Sequence, residues 1–380
     1  MTERSKYLFI IIDTLGVGGA ETQILRLIPE LQKKGWSVRL FTLLNKNAYR
    51  AELDDLGIQY QSLNMKSVAA FLNLWRLAKD IRKRRNKGEE VLIHSHLVSS
   101  NLVSRLVVFL AGSVPLVNTI HNVNEGSGFR YTLYRLTSRY ADYVSAMSQA
   151  ALDVHLKRRS TPSAKLHLVY NGVDTTLFKR DYTIRMEYRK KFGVTDDFVW
   201  LAAGNMVPQK NFKNLLNAWK IVTENHEEGY RLRLLIAGDG PLKQELEKFT
   251  QNNGLSGTVR FLGMRKDINS LMCMADAYVM SSDWEGFPMV LLEASATELP
   301  AVATDVGGNS EIIVHNETGF ICPPKSSGSL SGVMEKMMLL GSGERVLMGE
   351  NAQRYVEDKF GIRKIAEQWD RIYKELLVND

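Results

Sequence analysis

The sequence predicts two doubly wound α/β domains with parallel sheets. Three observations carry this. The chain has 380 residues, enough for two domains of ordinary size. Short apolar runs alternate with helix-length amphipathic stretches, and this rhythm restarts after a polar join at about residues 171–196. The runs are apolar on both faces, as strands must be in parallel sheets covered by helices on both sides.

In order, the first set of strands is YLFIII, WSVRLFTLL, EVLIHSH, VPLVNTIH, ADYVSAMS and LHLVYN. The second set is DFVWLAAGN, RLRLLIAGDG, TVRFLG, ADAYVMSS and LPAVATD. Two such sets predict domains at 1–180 and 181–361, facing each other. Ligands in open α/β sheets bind beyond the carboxyl ends of the strands, so the active cleft is expected between the domains. Ile362, Ile365, Ala366, Trp369, Ile372, Tyr373 and Leu376 recur at spacings of three and four. They predict a closing amphipathic helix, 362–380, packed back on the first domain.

Composition narrows the function. Hydrophobic residues make up 44% and charged residues 24%, as in soluble globular proteins. Cys273 and Cys322 stand far apart, which argues against a disulfide framework and for a reducing cytoplasm. The run Tyr7–Ile12 is too short for a signal peptide, and LVVFLAGSVPLV too short and interrupted to span a membrane. No cluster of residues suggests a metal. The net charge of +7 is uneven: residues 1–180 hold 26 Lys+Arg against 14 Asp+Glu, and residues 181–380 hold 23 against 28. A basic first half points to an anionic partner.

Three stretches carry candidate chemistry. The first strand ends in DTLGVGGAE, with Gly16, Gly18 and Gly19 before a helix from Ala20. Unpaired amides at a helix start can cradle a phosphate or sugar. The dinucleotide pattern GxGxxG fails, because Glu21 takes the third glycine's place; a tight packing turn would use the same residues. Next, WRLAKDIRKRRNK (75–87) reads as a helix whose stripe Phe71, Leu74, Trp75 and Ala78 packs on the first domain. Its crowd of basic residues is either a solvated face or a dock for anionic lipid, and without a stacking platform nucleic acid is not expected. Third, in EGFPMVLLE, Pro288 suits a helix's first turn and leaves the amides of Met289 and Val290 for a phosphate. Glu285 falls in the loop before that helix. Glu293 lies more than a turn inside it, among apolar neighbours.

Taken together, the motifs resemble those of the retaining glycosyltransferases of family 4, which have the two-domain GT-B fold. The matching residues are GVGGAE at 16–21, Asn171-Gly172-Val173-Asp174, Val207-Pro208-Gln209-Lys210, AGDGP at 237–241 and FLG at 261–263. Glu285 and Glu293 with Thr304-Asp305-Val306-Gly307-Gly308 complete them, in the family's order.

The resemblance implies an acceptor-binding first domain and a donor-binding second one. It implies that Glu293 accepts hydrogen bonds from the ribose of a nucleotide-sugar, that Glu285 faces the transferred sugar, and that amides from Phe287 to Val290, with Met289 between, hold the diphosphate and sugar. Lys210 matches the lysine that neutralises the leaving diphosphate. Met264 and Arg265 stand where the family holds the base, and His121 matches a histidine near the sugar. Gly18 and Gly19 belong to the first glycine turn. Asn205 departs from the usual Arg, losing a charge and a bidentate phosphate contact. The implied protein is a cytoplasmic enzyme, peripheral on the inner membrane face. It would take a nucleotide-sugar, a UDP-sugar by expectation, to a saccharide or lipid-linked acceptor without cofactor or metal. Two alternatives are an epimerase of related fold, which would release no free nucleoside diphosphate, and a glycosyltransferase-like binding subunit without turnover.

Overall fold

A computed structural model describes residues 5–16, 18–226 and 231–378. Val17 of the first glycine motif, and the last two residues of the expected closing helix, lie outside them. The chain divides into two compact units: Met1–Gly172 with Ile362–Asp380, and Val173–Gly361. The division falls eight residues before the boundary expected at 180.

In the first unit seven parallel strands form one sheet: β1 (Lys6–Ile12), β2 (Trp36–Thr42), β3 (Gln59–Ser62), β4 (Glu90–His96), β5 (Leu116–Ile120), β6 (Tyr143–Ala146) and β7 (Leu166–Leu168). Their order is β3-β2-β1-β4-β5-β6-β7. The second unit has β8 (Phe198–Ala203), β9 (Leu232–Ala237), β10 (Val259–Gly263), β11 (Ala277–Met280), β12 (Ala301–Thr304) and β13 (Gly319–Cys322), ordered β10-β9-β8-β11-β12-β13. Helices cover both faces of the first sheet, with one apolar cluster around Leu8, Ile10 and Trp369 and another around Phe9, Ile11 and Ile93. These alternate residues of β1 feed opposite faces because side chains switch sides at each step along a strand.

Two strands escape the sequence pattern. β3 is polar, QYQS, and lies at a sheet edge where one flank meets solvent. β13 is an edge strand of four residues, too short for a periodic signal.

The Ile362–Val378 helix buries Ile362, Ile365, Ala366, Trp369, Ile372 and Tyr373 within the first unit. The Trp36 indole donates to Asp370 at 2.9 Å, and Tyr373 stacks on Trp369 with ring centroids 5.6 Å apart.

The basic helix runs Ala70–Asn86, and its stripe is not the expected one. Leu74, Leu77, Ala78 and Ile81 are buried, whereas Phe71 and Trp75 face outward. A single helical face subtends about 100°. The face that includes Leu77 and Ile81 is the one that packs, and it turns Phe71 and Trp75 away.

Candidate active site

Each sheet reverses strand order once. In the second unit the reversal lies between β8, whose chain leads to β9, and β11. Such a switch point opens a crevice beyond the strand ends. The segments leaving β8 and β11 are GNMVPQK and SSDWEGF, and they meet. The Lys210 ammonium lies 2.6 Å from Glu285 Oε1. Gln209 donates to Glu285 Oε2 at 3.3 Å and to the Trp284 carbonyl at 3.0 Å. Asn211, at φ 42°, donates to Asp283 at 2.7 Å and caps the Phe212–Asn225 helix through the Asn214 amide. Ser281 Oγ donates to the Lys210 carbonyl at 2.9 Å. The pair is therefore held from both strands by backbone as well as side chains.

Glycines let these turns close on one another. A Cβ on Gly307, at φ +56°, would stand 2.1 Å from the Glu285 carbonyl oxygen, and Gly308 donates its amide to the Gly286 carbonyl at 2.9 Å. A Cβ on Gly238, at φ +135°, would stand 2.0 Å from the Gly204 carbonyl. The TDVGG and AGDGP motifs thus press the loop that carries Glu285 and the turn that carries Asn205 into place.

The two glutamates exchange expected environments. Glu285 is the buried one, 5% exposed and ion-paired, while Glu293 is only half-buried. Glu293 sits in the fifth position of the Met289–Ala296 helix, so it is more than a turn inside, as its spacing predicts. Pro288 is the residue before the helix, not in its first turn, and offers no side-chain cap to the amides of Met289 and Val290. Phe287 is buried edge-on against Phe360, ring centroids 5.3 Å apart. Asn205 and Met264 are exposed. Arg265 is committed to Asp267, its Nε 2.8 Å from Oδ1, and this bond raises the guanidinium's pKa further. It is therefore not a spare cation for the position of Asn205.

The first unit reverses between β1 and β4. Gly18 precedes the Gly19–Lys33 helix, which starts one residue earlier than the motif suggests. The Glu21 carboxylate folds back beside Gly18, and burial raises its pKa. Asp13 accepts from the amide and hydroxyl of Ser100 at 2.9 and 2.6 Å, bridging β1 to the Val98–Ala111 helix.

His121 is buried and lies in a chain that the sequence reading missed. Its Nε2 is 3.0 Å from His96 Nδ1. The His94 ring lies tilted against that of His96, centroids 4.1 Å apart, and bonds Tyr373 and Thr119. Burial drives His94 and His121 down to about 3, and His96 well below its usual value. All three are neutral at pH 7, and one of each bonded pair donates while the other accepts. The i, i+2 spacing of His94 and His96 on one strand face was the available signal. Glu125, also missed, is buried and pushed up to about 7 by desolvation. Among the described residues, His96 Nε2 and Glu125 Oε2 have no partner, and no group of three His, Cys, Asp or Glu is placed to hold a metal.

The comparisons agree along nearly the whole chain. The model described as Glycosyltransferase Family 4 matches residues 17–177, and that described as Glycosyl transferases group 1 matches 184–355. N-acetyl-alpha-D-glucosaminyl L-malate synthase of Bacillus anthracis is 31% identical over 75% of this chain and 73% of its own. UDP-Gal:alpha-D-GlcNAc-diphosphoundecaprenol alpha-1,3-galactosyltransferase of Escherichia coli is 24% identical over 83% and 81%. The structure of HepE from Anabaena in complex with UDP-glucose superposes with a TM-score of 0.85 at 22% identity, covering 97% of this chain and 99% of that one.

Proposed function

Since the chain belongs to the family 4 glycosyltransferases, we propose that it transfers a hexosyl group from a UDP-sugar, with retention, to a lipid-linked saccharide in the synthesis of a bacterial surface polysaccharide. The observation that carries this is the Lys210–Glu285 pair at the switch point of the second sheet. A half-buried cation beside a helix start suits a diphosphate, whose charge grows as it leaves. The UDP-glucose bound by HepE supports the donor class, and the diphosphoundecaprenol in the E. coli relative's name supports the acceptor class.

In this reading the acceptor oxygen bonds to the anomeric carbon on the face from which the diphosphate departs. The carbon–oxygen bond to the diphosphate breaks, and the acceptor's proton passes to a diphosphate oxygen. The protein supplies position and charge. Lys210, with the amides of Met289 and Val290, takes up the developing negative charge, and Glu293 accepts from the ribose. Glu285 holds Lys210 in place and faces the sugar. His121, kept neutral by burial, offers the sugar a hydrogen bond without a repelling charge.

A second reading, a small soluble acceptor, is favoured by the relative with L-malate in its name. One experiment tests both. A panel of nucleotide-sugars is assayed for released nucleoside diphosphate with a polyprenyl-diphosphate saccharide or with L-malate. Release with the lipid acceptor and an α-linked product supports the proposal; turnover on L-malate alone selects the second reading. No release from any UDP-sugar refutes the donor assignment.

A further inference from the structure

The turned-out face of the Ala70–Asn86 helix has an order along its length. Phe71, Leu72 and Trp75 occupy its first turns at 63, 53 and 48% exposure. Lys79, Lys83 and Lys87 follow at intervals of four, on the stripe that continues from Phe71 and Trp75. A groove of about 460 Å³ opens there, lined by Trp75, the three lysines and, from the neighbouring helix, Leu110. On that neighbour Leu106 and Phe109 are also exposed, 41 and 62%. Spaced three and four apart with Leu110, they extend the apolar rim.

The cations differ in availability. Arg82 donates to the Leu110 and Ala111 carbonyls and so holds the two helices together. Arg84 is taken by Asp80 and Glu89 and lies over Tyr7. By contrast, Lys79, Lys83 and Lys87 have no acidic partner among the described residues, and Lys79 lies 5.1 Å above the Trp75 ring. Three such ammonium groups beside exposed apolar side chains fit a ligand that is anionic at one end and greasy at the other. Free phosphate would leave the aromatic end unused. Nucleic acid would want bases stacked among the phosphates, whereas here the aromatic and cationic turns are segregated.

We propose that this face docks on a membrane of anionic phospholipid. The groove takes a phosphate headgroup, and Phe71, Leu72 and Trp75 enter the interface, where Trp is at home and Lys can reach outward from its stem. The docking does not depend on which sugar the enzyme transfers.

The test uses the full chain sedimented with vesicles of phosphatidylglycerol and phosphatidylcholine, or of phosphatidylcholine alone. Binding is expected to the first and not the second, with release by salt. At about 1 kcal/mol per basic residue near an anionic surface, changing Lys79, Lys83 and Lys87 to Ser should lower partition on the order of 100-fold. Changing Phe71, Leu72 and Trp75 to Ser should abolish binding, and Trp75→Phe should remove the fluorescence blue shift on binding. The single exposed substitution Lys83→Glu repeats the charge test if the triple variant folds poorly, and both variants should keep full turnover on a short soluble acceptor. Unchanged partition in the lysine variants, or equal binding to neutral vesicles, overturns the proposal. So does complete competition by inorganic phosphate, which would make the groove a small-anion site.

Discussion

Lys210→Ala removes a cation and strands a carboxylate, and the two consequences can be separated. The Glu285 side chain is 6% exposed and the Lys210 side chain 18%. Breaking a buried pair by deleting one partner costs about 3–5 kcal/mol, because the remaining charge is uncompensated. Gln209 still donates to Glu285 at 3.3 Å, so the lower end, about 3 kcal/mol, is expected. Glu285→Gln should cost less, about 1–2 kcal/mol, since the flexible Lys210 stem can carry its charge toward water. The double variant leaves no stranded charge and should sit well short of the sum, with a coupling of about 1.5–3 kcal/mol. Turnover should behave differently. Losing one charge-stabilising donor costs about 100-fold or more, and restoring stability in the double variant should not restore it. Urea unfolding read through hydrogen exchange at β8 and β11 localises the loss to the second unit, since a two-unit chain need not unfold in one step. Additive stability losses would refute the energetic pairing. Recovery of turnover in the double variant would show that Lys210 serves only to neutralise Glu285.

Gly307→Ala would place a Cβ 2.1 Å from the Glu285 carbonyl at a φ of +56°, so it should cost about 2 kcal/mol or more and weaken UDP binding by calorimetry; an unchanged melting temperature would contradict the close packing. The first unit should lose stability on acidification: unfolded His94 and His121 protonate near 6.5 but the folded ones only near 3, so each costs about 1.4 kcal/mol per pH unit as pH falls through that window. Glu125 opposes them between about 4.5 and 7, where the fold keeps a proton that the unfolded chain has lost, but one carboxyl faces two histidines; flat hydrogen-exchange stability from pH 6 to pH 4 would refute the balance. Asn205→Arg should tighten UDP binding by about 1–3 kcal/mol through a charge-assisted contact, because the guanidinium of Arg265 is already held by Asp267; weaker binding would mean another cation already fills the place.

The parts legible in the sequence were those with a local physical signature. Runs such as FVWLAA, buried at every residue, announce a central parallel strand without help from the rest of the chain. Glycine turns are legible for a similar reason: positive φ and close backbone approach leave few other residues possible. What stayed hidden depends on partners distant in sequence. The polar QYQS strand pairs only because β2 offers it an edge. Phe71 looked like core because spacing gives a helical face but not the direction in which that face points. The environment of Glu293 has the same cause. An apolar run predicts burial, but a helix of eight residues at a strand end keeps one side open, and Glu293 is on the less covered side. His94 and His96 were read as strand residues; their link to His121 needs β4 and β5 in register, His96 opposite Thr119.

The two sheets solve the same geometric problem with opposite electrostatics. At the switch point of the second, a lysine and a glutamate form an ion pair, and backbone turns with required glycines keep them there. Under the proposed function, this pair meets a diphosphate whose negative charge grows as it leaves. At the strand ends of the first, burial suppresses protonation of three histidines and pushes Glu125 up to about 7. Under the proposed function, an uncharged imidazole such as that of His96 suits a hydroxyl group, which must be oriented but not ionised. A cation placed there would favour a bound anion instead, and an ion pair would compete with the hydroxyls for its own partners. Residues 1–180 are basic as a whole, so the contrast is local to the strand ends: burial keeps three histidines uncharged there, whereas an ion pair stands at the switch point of the second sheet.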